Sequence, residues 1–283
     1  MITLKQAYLR CRDTLKINGF DAPEFEAHTL VEAATGFDRT KLTVNGNAEL
    51  SADKEQTLIA YTQKRLLHIP LQYIIGSWSF CGFDFYVGDG VLIPRDDTEV
   101  LVGLCKKFLQ NRPNKKTIDL CAGSGAISVA LNKLCNADVT AVELSDKAFI
   151  FLQKNIQLNN ADISLVNGDV FECHKDFDDG QYDLIVSNPP YIKRSELSTL
   201  QKEVQFEPKM ALDGGETGFD FYEAIIRLWS SKLVYGGALA FELGEGQADY
   251  VKSLMKSAGF SNIRTENDFG GTQRAIIGTM INN

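Results

Sequence analysis

The sequence predicts an α/β chain: a mostly parallel sheet closed by an antiparallel strand, preceded by a small helical domain and a linking β-hairpin. Three observations carry this. Residues 1–69 show helical spacing and no strand-like alternation. Residues 73–93 switch to aromatic and β-branched positions broken by glycine, with Trp78, Phe80, Phe83, Phe85, Val87 and Val91. After Lys116, short apolar runs alternate with helical patterns, the βαβα order that builds a parallel sheet covered on both faces. A chain of 283 residues is long for one domain, so the expected division is 1–69 (helical), 70–94 (hairpin linker) and 95–283 (sheet domain).

In the helical part, Thr3 and Gln6 form a capping box, and Leu4, Ala7, Tyr8, Cys11 and Leu15 keep helical spacing up to Asn18-Gly19. Asp21, with Pro23 in the first turn, opens a second helix that Gly36 ends. Ser51 caps a third, running to about Leu67, and Pro70 closes the domain. Pro94 ends the hairpin, and helical spacing resumes from Thr98 to Gln110. Beyond it, strands are expected at 117–120, 138–143, 163–166, 182–187 and 238–242, with helices at 126–134, 145–159, 219–233 and 247–258. Two final strands, 262–267 and 274–278, flank Asp268-Phe269-Gly270-Gly271. This closing hairpin sets an antiparallel strand into the sheet, unlike the all-parallel dinucleotide-binding arrangement.

Composition narrows the function. No run of about 18 apolar residues exists, so no membrane partner is expected. Met1-Ile2-Thr3-Leu4-Lys5 has no apolar core of a signal peptide, and the six scattered cysteines include no Cys-x-x-Cys pair. Reduced thiols in a cytoplasmic protein are expected. Cys173-His174 is the one adjacent pair of soft ligands, too few to hold a metal, so none is expected. Residues 1–69 hold nine Lys/Arg and nine Asp/Glu; residues 70–283 hold twenty against twenty-eight, so the net charge of −8 lies wholly in the larger part. A duplex-gripping protein presents a basic face to phosphates, and this balance points instead to a protein or small-molecule substrate without direct nucleic-acid contact.

Asp119-Leu120-Cys121-Ala122-Gly123-Ser124-Gly125-Ala126 spans a strand-to-helix junction. Gly123 and Gly125 allow a tight turn and close approach to a ligand. A Gly-x-Gly loop can also be a plain turn, but Glu143 ends the next strand twenty residues on, where a carboxylate accepts from ribose hydroxyls. A dinucleotide fingerprint would put Gly or Ala at 128, where this chain has Ser128. Asp119 suits a ligand bearing an ammonium group, as S-adenosylmethionine does. Asp169 either meets the adenine amino group or serves as a turn aspartate after Gly168. The expected cofactor contacts are the loop itself (Cys121, Ala122, Gly123, Ser124, Gly125) together with Asp119, Glu143, Asp169, Val170 and Asn188.

The most specific text is Asn188-Pro189-Pro190-Tyr191 after the apolar strand 182–187, which delivers Asn188 to the carboxyl edge of the sheet beside the cofactor loop. Two prolines fix φ and remove two backbone donors, leaving carbonyls as acceptors. An amide nitrogen is a poor nucleophile because its lone pair is delocalised. If the Asn188 side-chain oxygen and the Pro189 carbonyl accept its two N–H bonds, the lone pair is aimed at the methyl group, and positioning supplies the catalysis. Tyr191 would pack on the planar target. Asn188, Pro189, Pro190 and Tyr191 are thus the candidate catalytic and substrate-binding residues. The bland alternative is that Asn-Pro merely opens a turn.

With these motifs the chain resembles the peptide chain release factor N5-glutamine methyltransferases. The likeness runs over most of the chain and includes Pro70-Leu71-Gln72-Tyr73-Ile74-Ile75-Gly76, Val91 to Glu99, Glu207 to Gly215, Glu242 to Gln247, and Asp268-Phe269-Gly270-Gly271 with Arg274. It implies a Rossmann-like S-adenosylmethionine methyltransferase that modifies the glutamine of the Gly-Gly-Gln tripeptide in class I release factors and yields S-adenosylhomocysteine. It further implies N-terminal helices that help dock the release factor and a turn 188–191 that holds the glutamine amide; a monomer is expected. The chain departs from the family pattern in places. Cys121 stands where the loop usually begins with glycine, so that turn is expected to avoid positive φ. Glu143 replaces the common aspartate, Pro94-Arg95-Asp96-Asp97-Thr98-Glu99 replaces Pro-Arg-Pro-Glu-Thr-Glu, and Val170 replaces a larger residue against adenine. Competing readings are a glutamine methyltransferase for a ribosomal protein, a nucleic-acid adenine-N6 methyltransferase, and a nucleotide-binding adaptor without catalysis.

Overall fold

In the computed structural model, which describes residues 2–281, the chain opens with α1 (Leu4–Ile17). It is capped as its sequence predicts: the Thr3 hydroxyl accepts from the Gln6 amide, and the Gln6 side chain accepts from the Thr3 amide. Its stripe of Leu4, Ala7, Cys11 and Leu15 is buried against α2 (Pro23–Thr35) and α4 (Ala52–Leu66). The cap expected of Asp21 is absent. Ala22 holds the N-cap position without a side-chain bond, and Pro23 alone presets the first turn. Two helices are too short to show a period in the sequence. One is α3 (Arg39–Val44), which starts on the Asp38 carboxylate accepting from the Lys41 amide. The other, α5 (Leu71–Ile75), lies partly where strand was expected and ends at Gly76, whose φ of 80° is left-handed. Leu71 and Ile74 of α5 join the apolar cluster of the other helices, so the helical unit runs to Gly76 and not to residue 69.

The chain divides into two compact units, and residues 202–206 belong with the helical one. The attachment is ionic. Arg65, with 7% of its side chain exposed, donates to both Glu26 oxygens at 2.6 and 3.1 Å and to Glu203 at 2.9 Å. The His68 ring meets the same Glu203 oxygen at 3.1 Å.

The second unit begins with a hairpin, β1 (Ser77–Phe80) and β2 (Phe83–Tyr86). Its turn residues Cys81 and Gly82 both take positive φ, the twist that a two-residue hairpin turn needs. The hairpin is shorter than the expected 73–93, and residues 87–97 continue without strand pairing while Val87, Val91 and Ile93 are buried. There follow α6 (Thr98–Leu109), β3 (Lys116–Leu120), α7 (Ala126–Cys135), β4 (Asp138–Glu143), α8 (Asp146–Leu158), β5 (Ile163–Asn167) and β6 (Tyr182–Ser187). The chain closes with α9 (Asp220–Trp229), β7 (Leu233–Glu242), α10 (Ala248–Ser257), β8 (Phe260–Asn267) and β9 (Gln273–Met280). The helix expected over 219–233 ends at Trp229, and β7 starts five residues earlier than the expected 238. Gly236 and Gly237 break the apolar run there and hide the strand's beginning.

The seven strands lie in the order β5-β4-β3-β6-β7-β9-β8. All neighbours from β5 to β7 are parallel, and β9 runs antiparallel to both β7 and β8, as the closing hairpin predicts. Alternation along the strands feeds two cores. Leu184, Val186, Ala238 and Ala240 pack with the apolar faces of α6 and α7, and Ile185, Leu239 and Phe241 pack with those of α9 and α10. The strand order reverses between β3 and β6, and ligands bind in the crevice at such a switch point. There Leu120 is paired with Ser187, and the Ser187 hydroxyl donates to the Leu120 carbonyl at 2.6 Å. That register sets the glycine loop and Asn188 side by side.

Candidate active site

A cleft of about 1040 Å³, partly open to solvent, lies beyond the carboxyl ends of β3, β4, β5 and β6. Of the residues singled out in the sequence, Cys121, Ala122, Gly123, Ser124, Glu143, Asp169, Val170, Asn188 and Pro190 line it. Asp119, Gly125, Pro189 and Tyr191 do not.

The glycine loop is clamped from both sides. Glu143, 8% exposed, accepts from the Gly123 amide and the Ser145 amide, each at 2.7 Å, one on each oxygen. Burial raises its pKa and those amides pull it back. Each oxygen keeps a second lone pair, so a ribose diol can add its two donors. Asn155, fully buried on α8, donates to the Ser124 carbonyl at 2.9 Å and also bonds the backbone of Tyr86, tying the loop to β2. Cys121 takes a φ of +61°, against the expectation that a residue with a Cβ would avoid that region. The tight exit from β3 requires it, at a cost of roughly 1–2 kcal/mol for a non-glycine residue. Gly125 serves packing. Its φ is +82°, and a Cβ there would sit 2.5 Å from the Leu152 Cδ1 atom.

Asp119 is not brought to the cleft. Its carboxylate is wholly buried, Oδ2 accepts from the Ser128 hydroxyl at 2.6 Å, and Oδ1 has no partner. Burial lifts its pKa to about 7 against the pull of that hydroxyl. The structure gives it to Ser128, at the position where a dinucleotide fingerprint would have a small residue, and not to a ligand's ammonium. Asp169 is a turn aspartate, its Oδ1 accepting from the Phe171 amide at 2.9 Å, and it also lines the cleft. Val170 and Phe171 form the adjoining wall together, and the Val170 carbonyl is fixed by the Trp229 indole at 2.9 Å.

The turn after β6 is held from behind. Gln247 donates to the Tyr191 carbonyl at 2.9 Å and accepts from the Gly244 amide and the Tyr222 hydroxyl. Gly214 lies so close that a Cβ would come within 2.7 Å of the Tyr191 backbone. The Tyr191 hydroxyl approaches Glu242 at 3.4 Å, so the ring is directed inward and not along the cleft wall. Asn188 directs its Nδ2 to the Thr98 hydroxyl oxygen at 3.4 Å. Pro189 is buried. The facing wall carries Pro208, Met210 and Ala211, anchored by the buried Glu207, which accepts from the Arg95 guanidinium and, at 3.1 Å, from the Ile93 amide.

Residues 6–76 match the PrmC N-terminal domain and residues 98–218 the methyltransferase small domain. A release factor glutamine methyltransferase from Geobacter sulfurreducens is 39% identical over 279 residues, covering 98% of this chain and 96% of the relative. The chain belongs to the release factor glutamine methyltransferase family. Another relative of that name, from Clostridium acetobutylicum, is 33% identical and covers 97% of each chain. A solved methyltransferase from Pyrococcus furiosus, 21% identical, shares the fold with a TM-score of 0.55 over 71% of this chain and 90% of its own. No helix among the described residues is long and apolar enough to cross a membrane.

In this release factor glutamine methyltransferase family member, several supporting residues carry no signal in the sequence. Thr98, Glu207, Glu242 and Gln247 all lie in stretches that carried the resemblance, yet none had a role assigned. Their work is to hold other side chains, and spacing alone does not show that. Asn155 sits inside an ordinary amphipathic helix and left no signal.

Proposed function

We infer that this chain transfers the methyl group of S-adenosylmethionine to the side-chain amide nitrogen of the glutamine in the Gly-Gly-Gln tripeptide of a class I release factor. The observation that carries the reading is the meeting in one cleft of Glu143, with its unused lone pairs, at the end of β4, and Asn188, after β6, the two strands that flank β3. The residues present fit the cofactor. A buried carboxylate serves the ribose, the backbone of 121–124 gives close approach, and Ile127, Leu144, Val170 and Phe171 supply apolar walls for an adenine. When bound, S-adenosylmethionine supplies an electrophilic methyl on a sulfonium, and S-adenosylhomocysteine is released.

The protein's own part is positioning. Asn188 Oδ1 and the Pro189 carbonyl accept the two N–H bonds of the glutamine amide and hold its lone pair toward the methyl donor. No strong base is required before attack, because the nitrogen becomes acidic only once methylated. Gln247 and Gly214 keep the turn from yielding. The unit ending at Gly76 docks the release factor, and the enzyme works as a cytoplasmic monomer on a protein, without direct nucleic-acid contact. An excess of eight acidic charges supports the last point.

The deciding experiment incubates the protein with labelled S-adenosylmethionine and a release factor, beside a copy whose Gly-Gly-Gln glutamine is alanine. Label on the first and none on the second is expected. Label on neither, with cofactor still bound, would rule out this acceptor.

A further inference from the structure

Two side chains from separate elements form a polar relay behind Asn188. Thr98, the first residue of α6, donates its hydroxyl to Glu242 Oε2 at 2.6 Å. Glu242 ends β7 and is 2% exposed. The Thr98 oxygen in turn lies 3.4 Å from Asn188 Nδ2. That last contact is long, and its importance is its sign. An ionised carboxylate only accepts, so the Thr98 proton is committed to it. The hydroxyl oxygen is then left purely an acceptor, and only the NH₂ end of Asn188 can meet it. The carbonyl end must face the other way, as an acceptor for the substrate's amide protons.

We propose that Glu242 is a positioning residue which, through Thr98, fixes the amide orientation of Asn188 and so selects an N–H-bearing acceptor group. This rests on the reaction inferred above. A flipped Asn188 would present NH₂ to the substrate's NH₂, two donors facing each other, and the lone pair would lose its alignment.

The groups facing Glu242 make the relay sensitive to pH. Tyr191 approaches Oε1 from the turn after β6, and Tyr222 of α9 donates to the Glu242 carbonyl at 2.9 Å. Arg274 of β9 attracts it while paired with Asp268 and Asp97, and Asp97 beside Thr98 repels it. Burial outweighs the Thr98 and Arg274 contributions and lifts the Glu242 pKa to about 7. A protonated Glu242 can donate to the Thr98 oxygen, freeing the hydroxyl proton to point at Asn188 and turn its carbonyl inward.

The test compares wild type with Thr98→Val, Thr98→Ser and Glu242→Gln, reading kcat, KM for the release factor, the Kd of S-adenosylmethionine, Tm, and the pH profile. Thr98→Val and Glu242→Gln should lower kcat by about 10- to 100-fold, the usual loss when a residue supporting a site residue is removed. The Kd should stay within about twofold, since neither change touches the Glu143 clamp. Thr98→Ser should recover most of the rate lost in Thr98→Val. Wild-type kcat should fall on the acid side of about pH 7, a limb missing from Glu242→Gln. A wild-type kcat in folded Thr98→Val, or an unchanged acid limb in Glu242→Gln, overturns the relay alone. A wild type that binds S-adenosylmethionine but never methylates the release factor overturns the reaction and the relay with it.

Discussion

Glu143 and Asn188 stand at the ends of the two strands that flank β3, but their losses should read differently. Glu143 would bind the cofactor in ground and transition states alike, so Glu143→Ala should raise the Kd of S-adenosylmethionine while kcat at saturation changes little. Calorimetric titration beside steady-state kinetics checks the split. Asn188 acts on the acceptor amide, whose alignment decides the rate. Asn188→Ala should keep fold and cofactor affinity while kcat falls about a hundredfold or more, the scale of loss from an approximately 1 Å misplacement. Single-turnover methylation with matched Kd values measures it. The turn 188–191 was readable because prolines after a buried strand are rare and chemically explicit. Asp119 was read wrongly in part because a carboxylate before a glycine loop looks the same in sequence whether it faces a ligand or Ser128.

At the level of elements, the glycine loop is stiff because three separate pieces close on it: the Glu143 clamp, Asn155 of α8, and Leu152 against Gly125. Gly125→Ala meets both a left-handed φ and a 2.5 Å clash. It should destabilise the protein by roughly 1–3 kcal/mol, the range for strained backbone, and weaken cofactor binding as well. Urea unfolding with and without S-adenosylmethionine separates the two effects. Long elements were legible here because period and caps agree, as in α1 with its Thr3–Gln6 box. Short ones were not. Residues 71–75 hold two isoleucines and a tyrosine, which favour strand locally, and tertiary packing overrides that preference. The early start of β7 was hidden by Gly236 and Gly237, which occupy a strand for spatial reasons a propensity scale does not contain.

For the molecule as a whole, two wholly buried carboxylates contribute to the pH response. Asp119 and Glu242 each titrate near pH 7 when folded, well above the value of about 4 for an unfolded carboxylate. A raised folded pKa means the folded state binds the proton more tightly. Their contribution to stability is therefore complete below about pH 4 and is lost as pH rises toward about 7. Asp119→Asn should shrink the fall in Tm between pH 5 and pH 8, and scanning calorimetry at the two pH values tests it. A larger fall in the variant would refute the assignment. In the helical unit, Arg65→Ala would strand Glu26, whose partner is gone, and should cost roughly 3–5 kcal/mol, as broken buried ion pairs do. Denaturant titration gives that number directly.

The return of residues 202–206 to the helical unit also has a timetable. Glu203 lies 138 residues after the Arg65 it binds. At synthesis rates of about 5–20 residues per second, Arg65 is made roughly 7–28 s before that acceptor exists. Through this interval Glu26 is the one carboxylate partner Arg65 has, and the newborn unit holds a guanidinium donor still waiting for a later part of its own chain.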